Sequence, residues 1–296
     1  MRTKNEQIQL SCSDNNITLE NFLKGNHISG RLYRRLLKNG YIYINEEAQH
    51  KKTVLKKGDR INIILEDEEY DVEPEDLKID VLYEDRDTLV INKPPFIVVH
   101  PTKNILNGTL SNGVASYFKS KNLKRKIRLV NRLDRDTSGI IIYAKNSYAH
   151  QFLAAEMERD SIRKRYIAIV VGEINDYSGK INLPISKCEN GIGYCVSEQG
   201  LPSITLYNTV EKLRGHTLLE LELKTGRTHQ IRVHMSSIGH PVLGDQLYGE
   251  STEHIGRQAL HSHEIEFISP ETKSIVKLSA PIPEDMEKAK YELQAK

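Results

Sequence analysis

The stretch RLVNRLDRDTSG, residues 128–139, places two aspartates among arginines. LVNRL is typical of a strand and DRDTSG of a turn, so we predict that Asp134 lies at a strand end and faces outward. Neighbouring guanidinium groups favour the ionised carboxylate. That carboxylate could act as a nucleophile or a base. An aspartate in a D-x-x-S-G turn can also do no more than hydrogen-bond its own backbone.

The surroundings of this aspartate are strongly basic. Eight Lys or Arg residues lie between Lys119 and Arg135. Such a concentration repels itself unless solvent or a polyanion lies against it. RNA is the polyanion that we expect, with Arg132 and Arg135 among the contacting residues.

A second polar segment, TGRTHQIRVH, contains two histidines five positions apart. Alternation along QIRVH predicts a strand with Gln230, Arg232 and His234 on one face and His229 on the other. The two histidines would then point apart, and we expect no shared metal ion.

Composition limits the class of protein. The chain has 296 residues, 38% hydrophobic and 28% charged, which fits a globular protein and argues against disorder or a membrane span. Its length favours two domains. The polar N-terminus, MRTKNEQIQ, lacks the features of a secretory signal, so we expect a cytoplasmic protein. Three scattered cysteines predict neither a disulfide framework nor a zinc site.

Charge is segregated along the chain. Residues 1–65 hold 12 Lys or Arg against 6 Asp or Glu, whereas residues 66–80 hold 9 acids against Lys78. The acidic block contains Pro74 and almost no large apolar residue, so we interpret residues 66–78 as a linker that cannot offset its ordering entropy. Mimicry of RNA by this block is a minor alternative.

The basic N-terminal part predicts two helices and a hairpin. Leucines recur at helical spacing between Leu19 and Leu37, and Gly30 and Gly40 are expected to end the two helices. YIYIN and RINIIL predict strands, with turns at Asn45-Glu46 and Gly58-Asp59. The second helix concentrates exposed cations, which are Arg31, Arg34, Arg35 and Lys38.

The remainder of the chain is richer in strands than in helices. β-branched runs occur at 89–92, 97–99, 139–143, 166–171, 218–223 and 274–278, and helical spacing occurs in GTLSNGVASYFKSK and SYAHQFLAAEMERD. This mixture predicts an α+β domain over residues 79–296 with a mixed, mostly antiparallel sheet.

Residues 17–65 resemble the S4 RNA-binding domain. The resemblance rests on the two basic helices, the strand from Gly40 to Asn45, and the final Gly58-Asp59. It implies a small S4-like α/β domain over residues 1–65 that binds RNA.

Four segments in order, KPPFIVVHP, RLDRDTSG, TGRTHQIRVH and GHPVLGDQLYG, resemble the RluA-type pseudouridine synthase family. The resemblance covers residues 79 to about 285. It implies the pseudouridine synthase fold and conversion of uridine in structured RNA, ribosomal or transfer RNA, to pseudouridine. No cofactor or metal is implied, and we take a monomer as the default.

The resemblance also implies roles for single residues. Asp134 matches the catalytic aspartate, which either attacks C1′ of the ribose or removes a ribose proton. Tyr166 matches a tyrosine that stacks on the base, and Arg227 matches an arginine that pairs with the aspartate. Lys164 is expected among the RNA contacts. The target nucleotide must be flipped out of its stack to reach these groups.

Asn131 and Phe96 stand where the family usually has histidine and glycine, and Lys93, His100 and Pro101 match a segment of the pocket wall.

Two other functions compete with a synthase. One is a non-catalytic RNA-binding protein with a degenerate synthase domain, against which Asp134, Tyr166 and Arg227 together argue. The other is a nucleoside hydrolase, which would act on free uridine.

Overall fold

Two separate main β-sheets organise the chain in the computed structural model, which describes residues 6–294. The prediction that the chain lacks a secretory signal rests in part on residues 1–5. These residues lie outside the described range. The smaller sheet belongs to the N-terminal part and has four strands. The larger sheet has ten strands and occupies the rest of the chain.

The N-terminal part folds as predicted into two short helices and a small sheet. Its elements are β1 (Glu6–Ser11), β2 (Ile17–Thr18), α1 (Leu19–Gly25), α2 (Gly30–Lys38), β3 (Ile42–Ile44), β4 (Glu47–Gln49), β5 (Val54–Leu55) and β6 (Arg60–Leu65). The main sheet runs in the order β1-β6-β3-β4, and β2 pairs with β5. Asn45 and Glu46 both have positive φ angles, 50° and 75°, which makes the tight turn between β3 and β4.

Helix α2 has one apolar face and one basic face. Leu32 and Leu36 are buried against the small sheet, whereas the cations predicted to bind RNA are all exposed on the opposite side; these are Arg31, Arg34, Arg35 and Lys38. The prediction that Gly30 ends the first helix is wrong. Gly30 begins α2, because the hydroxyl of Ser29 accepts a hydrogen bond from the Leu32 amide and caps the helix there.

The larger part of the chain is an α+β fold, as predicted. Its elements are β7 (Asp80–Glu84), β8 (Thr88–Lys93), α3 (Leu110–Ser120), β9 (Arg128–Leu129), β10 (Ser138–Ala144), α4 (Ser147–Glu158), β11 (Arg163–Val171), β12 (Ser178–Asn182), β13 (Ile185–Lys187), β14 (Tyr194–Val196), β15 (Ile204–Leu213), β16 (His216–Leu223), α5 (Gln230–Ser237), β17 (Leu260–Ile268), β18 (Ile275–Ser279) and α6 (Glu284–Gln294).

The large sheet is mixed and mostly antiparallel. Its strands run in the order β12-β15-β16-β11-β17-β10-β8-β7, with β18 beside β17 and β9 beside β10. Only the pairing of β10 with β17 is parallel among the described strands. Strand β10 is buried along its whole length. Its alternating residues face two apolar clusters, one containing α3 and the other α4, so both faces of the sheet are covered here.

The two helices predicted in this part are confirmed, and their ends follow from capping. Thr109 and Asn112 form a reciprocal capping box at the start of α3. Asn146 caps α4 by accepting the Ala149 amide. These caps satisfy amide groups that the first turn of a helix leaves without partners.

Three strand predictions are wrong. LVNRL does not continue strand β9 beyond Leu129, because the side chain of Asn131 bonds to the backbone of β10 there, so Asp134 lies in a loop and not at a strand end. Residues 97–99 form a loop in which the carbonyls of Val98 and Val99 accept the amides that begin α3. Two prolines before this loop remove backbone donors that a strand pairing would use. QIRVH is the start of helix α5, because Ile231 and Met235 lie one helical turn apart and pack together into the apolar core.

The acidic segment after β6 has no helix or strand over residues 66–78, but it is not the loose linker that its composition predicted. Val72 is buried in an apolar cluster with Ile127, and the hydroxyl of Tyr70 donates to the carbonyl of Leu123. These two side chains provide the apolar contact that the charge-rich composition concealed.

Ion pairs also connect the acidic segment to the basic residues that precede Asp134. Asp67 lies 2.9 Å from the guanidinium of Arg125, and Glu68 lies 2.7 Å from that of Arg128. The segment therefore neutralises cations that the sequence suggested were available for RNA.

The N-terminal part packs against the larger part through a shared apolar cluster. The ring of His27 meets Phe152 of α4 edge-on, with centroids 4.7 Å apart. Leu19, Ile28 and Leu36 belong to the same buried cluster as Ile140 of the large sheet. The small sheet is thus connected to the large sheet by side-chain packing as well as by the chain.

We predict that Val72→Ala lowers the free energy of unfolding by about 1.5 kcal/mol, because two buried methyl groups are removed. Urea unfolding measures the change. The exposed Asp76 of the same segment provides the matched control, Asp76→Ala, which should stay within about 0.5 kcal/mol of the parent. A Val72→Ala protein as stable as the control would show that the segment is a loose linker.

Candidate active site

A cavity of about 270 Å³ opens where the loop before β10 meets β11 and the start of α5. Asp134 comes from the loop, Tyr166 and Lys164 come from β11, and Arg232 comes from α5. These elements are far apart in sequence, and the sheet order brings them together. The cavity is the meeting point of two of the polar segments identified in the sequence.

Asp134 is held by Arg232. Nη1 of Arg232 donates to Oδ2 of Asp134 at 2.9 Å, and the Asp134 side chain remains 25% exposed to the cavity. A carboxylate that accepts one charge-assisted hydrogen bond keeps other lone pairs available. Asp134 is therefore oriented by its partner without being covered by it.

Arg232 is fixed in turn by Asp245. Its Nε and Nη2 donate to the two carboxylate oxygens of Asp245 at 2.7 and 2.8 Å, in a bidentate pair. Burial acts to lower the pKa of Arg232, but the hydrogen bonds and charge of Asp245 outweigh it and raise the pKa. Asp245 is fully buried and also accepts the backbone amides of Leu247 and Tyr248.

The pairing predicted for Arg227 is wrong. Arg227 is exposed at the rim of the cavity, and its Nε donates to the carbonyl of Pro202 at 3.3 Å. The error follows from the secondary structure. Because residues 230–237 are helical, the side chain that points back towards Asp134 is Arg232, in the first turn of α5.

The Asp134 loop, residues 130–137, is held from three sides. Nζ of Lys93 donates to the carbonyl of Arg135 at 2.8 Å, Nη1 of Arg257 donates to that of Asp136, and the Gln258 amide donates to the hydroxyl of Thr137. These bonds leave the loop little freedom and so fix where the carboxylate of Asp134 lies.

Lys93 reaches this loop from within the protein. It is fully buried, and its ammonium group also donates to the carbonyls of Pro94 and Ile97. Burial lowers the pKa of Lys93 to about 7, an effect that the charges of Asp136 and Asp134 oppose. Lys93 is thus a structural support of the Asp134 loop and does not face the cavity.

A glycine lets β10 and β17 approach closely beside this loop. Gly139 has φ of 111°, and a Cβ atom there would lie 2.2 Å from the carbonyl oxygen of Ser262. No other residue type fits this contact. The close approach brings β17 next to the Asp134 loop.

Tyr166 lies on the wall of the cavity, 5% exposed. Burial raises its pKa to about 12, the negative charge of Asp134 adds to the shift, and a hydrogen bond with the Ser262 side chain opposes it. The phenol is therefore neutral at physiological pH and presents a flat apolar ring beside the carboxylate.

His229 is the second group near Asp134. Its Nε2 lies 3.8 Å from Oδ1 of Asp134, and its Nδ1 lies 2.8 Å from the hydroxyl of Tyr248. Burial lowers the pKa of His229, with Asp134 acting in the opposite direction, so the imidazole is neutral at physiological pH. The Tyr248 hydroxyl accepts the Tyr194 amide and has its proton free for Nδ1, which favours hydrogen on Nε2, facing Asp134.

The remaining residues predicted to bind RNA fall into three places. Lys164 lies inside the cavity and is buried, and Arg132 lies exposed at its edge. Arg135 is exposed and pairs with Asp136. The four cations of α2 lie on the N-terminal part, where Arg35 comes within 3.9 Å of Glu66 in the acidic segment.

Other polar residues of the family segments support the fold. Asn131 donates to the carbonyl of Ile140 and accepts the amide of Ile142, which ties the Asp134 loop to β10. His234 is hydrogen-bonded to Thr205 and to the carbonyl of Leu183. Phe96 is exposed and has a left-handed backbone, φ 66°, which explains why glycine suits that position.

Asp245 and Tyr248 are two site residues that the sequence motifs did not reveal. Both residues belong to the segment GHPVLGDQLYG. The sequence indicates a buried acid there only because Asp245 directly follows the apolar Val242 and Leu243 and a glycine. A carboxylate in such surroundings needs a cationic partner. Within residues 6–294 no three His, Cys, Asp or Glu side chains are grouped to hold a metal ion, and no helix in that range has the length and apolar character to cross a bilayer.

Comparison with known proteins identifies an RNA-modifying isomerase. The model of the RNA pseudouridylate synthase family matches residues 87–237, a span that contains Asp134, Tyr166 and Arg232. The chain belongs to this family, as the RluA-type resemblance implied, and is an RNA pseudouridine synthase.

The relatives agree over most of their length. The chain is 40% identical over 252 residues to the RNA pseudouridine synthase YhcT of Bacillus subtilis, covering 83% of this chain and 82% of that protein. It is 37% identical over 271 residues to the ribosomal large subunit pseudouridine synthase D of Salmonella typhimurium, covering 86% and 81%. The structure of human RNA pseudouridylate synthase domain containing 1 is similar, with a TM-score of 0.57 and 27% identity over 69% of this chain and 83% of that one.

We predict that Arg232→Gln lowers the free energy of unfolding by about 3 kcal/mol and removes most pseudouridine formation, because it leaves the buried Asp245 without its cation and releases Asp134. Arg227→Gln is the matched variant and should change stability by no more than about 0.5 kcal/mol. Chemical unfolding and product analysis at a temperature where both variants are folded provide the measurements. Equal destabilisation by both substitutions would contradict the assignment of the buried pair to Arg232.

Proposed function

We propose that this protein isomerises specific uridines of structured RNA with the carboxylate of Asp134. The observation that carries the proposal is the position of this carboxylate, which Arg232 holds at 2.9 Å in a cavity shared with the Tyr166 ring. A charged oxygen beside a flat apolar wall suits a sugar and its attached base. Asp134 would act on the ribose while Tyr166 stacks on the uracil.

A uridine within a stacked helix cannot reach this cavity, so its nucleotide must be flipped out. Unstacking costs a few kcal/mol and is least for weakly paired or loop positions. Arg132 and Arg227 are exposed at the edge of the cavity and suit the phosphates on either side of the flipped nucleotide. We therefore propose that the target uridine lies in a loop or weak stem.

The arrangement supports both chemical routes that the family resemblance implies. In one, Asp134 attacks C1′ of the ribose, and in the other it removes a ribose proton. Either route needs an ionised carboxylate with a free lone pair, and the single hydrogen bond from Arg232 leaves one. The neutral His229, with Nε2 at 3.8 Å, adds a polar group on the other carboxylate oxygen.

Ribosomal RNA is our first choice of substrate, because several relatives are named as synthases of the large ribosomal subunit. Transfer RNA is the second candidate. We propose that residues 1–65 act as an S4-like RNA-binding domain, joined through residues 66–78 to a catalytic domain over residues 79–296. The protein would work as a monomer in the cytoplasm, without a cofactor or metal.

Mapping pseudouridine in the RNA of cells with and without the gene tests the function and identifies the substrate. Carbodiimide labelling detects pseudouridine, which has the same mass as uridine. Sites that disappear with the gene and return with the purified protein would support the proposal. Purified protein that modifies neither ribosomal nor transfer RNA from the deletion strain would refute it.

We predict that Asp134→Asn reduces pseudouridine formation by at least about 10³-fold, because the reacting oxygen is replaced by an amide. RNA binding should change less than about threefold, since the exposed phosphate contacts remain. Asp176→Asn, at an exposed position of the same chain, is the control and should keep full activity. The rate is measured in a single turnover and the affinity by filter binding.

We predict that Arg31→Ala, Arg34→Ala and Lys38→Ala combined weaken RNA binding without a change in the rate of the bound complex. Removal of each cation that binds a phosphate should reduce the slope of log affinity against log salt concentration by about one unit.

A control variant replaces three exposed lysines elsewhere, Lys103, Lys180 and Lys288, by alanine. Binding curves at several salt concentrations separate the two variants. If both variants bind RNA equally weakly, net charge accounts for the effect and the helix α2 has no special role.

A further inference from the structure

Lys164 occupies an unusual position inside the cavity. It lies two residues before Tyr166 on β11, so the two side chains project from the same face of the strand about 6.6 Å apart. Its residue exposure is only 7%, and both side chains line the cavity that contains Asp134. The exposed loop at Gly226 and Arg227 lies over it, with Nζ 3.9 Å from where a Cβ of residue 226 would be.

The ammonium group of Lys164 forms no hydrogen bond or ion pair with any other residue in the described range 6–294. Neighbouring carboxylates are engaged elsewhere. Asp160, the charged group that acts on Lys164, lies 3.4 Å from Nζ of Lys224, and Glu264 pairs with Arg165. Burial lowers the pKa of Lys164, and Asp160 opposes that effect.

Lys93 shows what a buried lysine of this protein needs. Its ammonium group donates to three backbone carbonyls, whereas that of Lys164 donates to none among residues 6–294. The Lys164 ammonium group opens on the cavity and is not among the enclosed polar atoms without partners, so water can solvate it until a ligand enters. The three free donors of Lys164 therefore point to an acceptor that enters with the substrate.

The parts of a flipped uridine can be assigned by position. The ribose belongs beside Asp134, the ring belongs against Tyr166, and the phosphates belong at the exposed rim with Arg132 and Arg227. The polar edge of the uracil would then face the buried part of the cavity, where Lys164 lies. This edge offers two carbonyl oxygens, and an ammonium group can only donate.

We propose that Lys164 binds a carbonyl oxygen of the uracil ring and stabilises the negative charge on that ring after it is detached from the sugar. The proposal rests on the function proposed above and adds a residue that recognises the base. It assigns to Lys164 a contact with the reacting ring and not with the RNA backbone.

The chemistry needs such a charge. When the bond between C1′ and N1 breaks, the ring keeps both electrons, and the charge spreads to its carbonyl oxygens. C1′ is then either bonded to the Asp134 carboxylate or joined to C2′ by a double bond, after Asp134 has taken the C2′ proton. The bond between C1′ and C5 forms as the carboxylate is displaced or the proton returns to C2′, the proton on C5 leaves, and N1 takes up a proton, so the composition is unchanged. A cation held beside the ring stabilises the detached anion on either route for Asp134.

Lys164→Met tests the proposal with the transcript that the wild-type protein modifies in the mapping experiment. We expect kcat to fall about 10²-fold, as when one preorganised electrostatic interaction is removed, and KM to change less than about threefold. Lys180→Met, an exposed residue of the same sheet, is the control and should keep full activity. Thermal unfolding checks folding, and Lys164→Gln, which keeps a donor without the charge, should give an intermediate rate.

A thio-substituted substrate tests the contact itself, because sulfur is a poorer acceptor than oxygen. The target uridine is replaced in a synthetic hairpin by 2-thiouridine and, separately, by 4-thiouridine. One of the two should slow the wild-type protein about tenfold and slow Lys164→Met less than about threefold. Equal slowing of both proteins by both analogues would overturn the contact.

Two other results would also decide the matter. If Lys164→Met weakens binding and its salt dependence but keeps kcat, the lysine contacts phosphate and the proposal is wrong. If it keeps kcat within about threefold of an active wild-type protein, the lysine has no part in the reaction. A wild-type protein that makes no pseudouridine would instead remove the proposed function, and this inference with it.

Discussion

One guanidinium group, that of Arg232, determines the geometry of the site. It joins two carboxylates that come from distant parts of the chain, the partly exposed Asp134 and the fully buried Asp245. The buried partner fixes the arginine, and the arginine fixes the carboxylate of Asp134, so the bidentate pair inside the protein holds in place the group that we propose reacts. Removal of the anchor would leave a buried charge as well as a mobile Asp134, and this connects the stability of the domain with its chemistry.

Several other residues also fix the position of Asp134 by holding its loop. The Asp134 loop is held by Lys93, Arg257 and Gln258, which bond to its backbone and to Thr137. Arg257 is itself held by the carboxylate of Asp285 on α6, so the last helix contributes to the position of that loop. A site built in this way needs little movement of its own, and in the function that we propose the substrate nucleotide moves instead, by leaving its stack.

Two lysines of similar burial differ in whether their ammonium groups have partners within the protein. Lys93 has every donor satisfied by backbone carbonyls, as a supporting residue should. Lys164 faces the cavity and has none satisfied among the described residues. The acidic segment shows that charge alone does not identify an RNA-binding residue. The basic run suggested that Arg125 and Arg128 are available to RNA, but they form ion pairs with Asp67 and Glu68.

The family, the α+β class, helices α3 and α4 and the basic face of α2 could all be predicted from the sequence, which also indicated Asp134 as the candidate catalytic residue. These follow from local periodicity, caps and motifs, which depend on neighbours in the chain. Tertiary structure alone decided that Arg232 and not Arg227 pairs with Asp134, that QIRVH is helical, and that Asp245 lies behind the arginine. A five-residue alternation fits a strand or a helix equally, and only packing against the sheet selects one. The partner of a charge is likewise chosen by distance in space, which motif spacing does not encode.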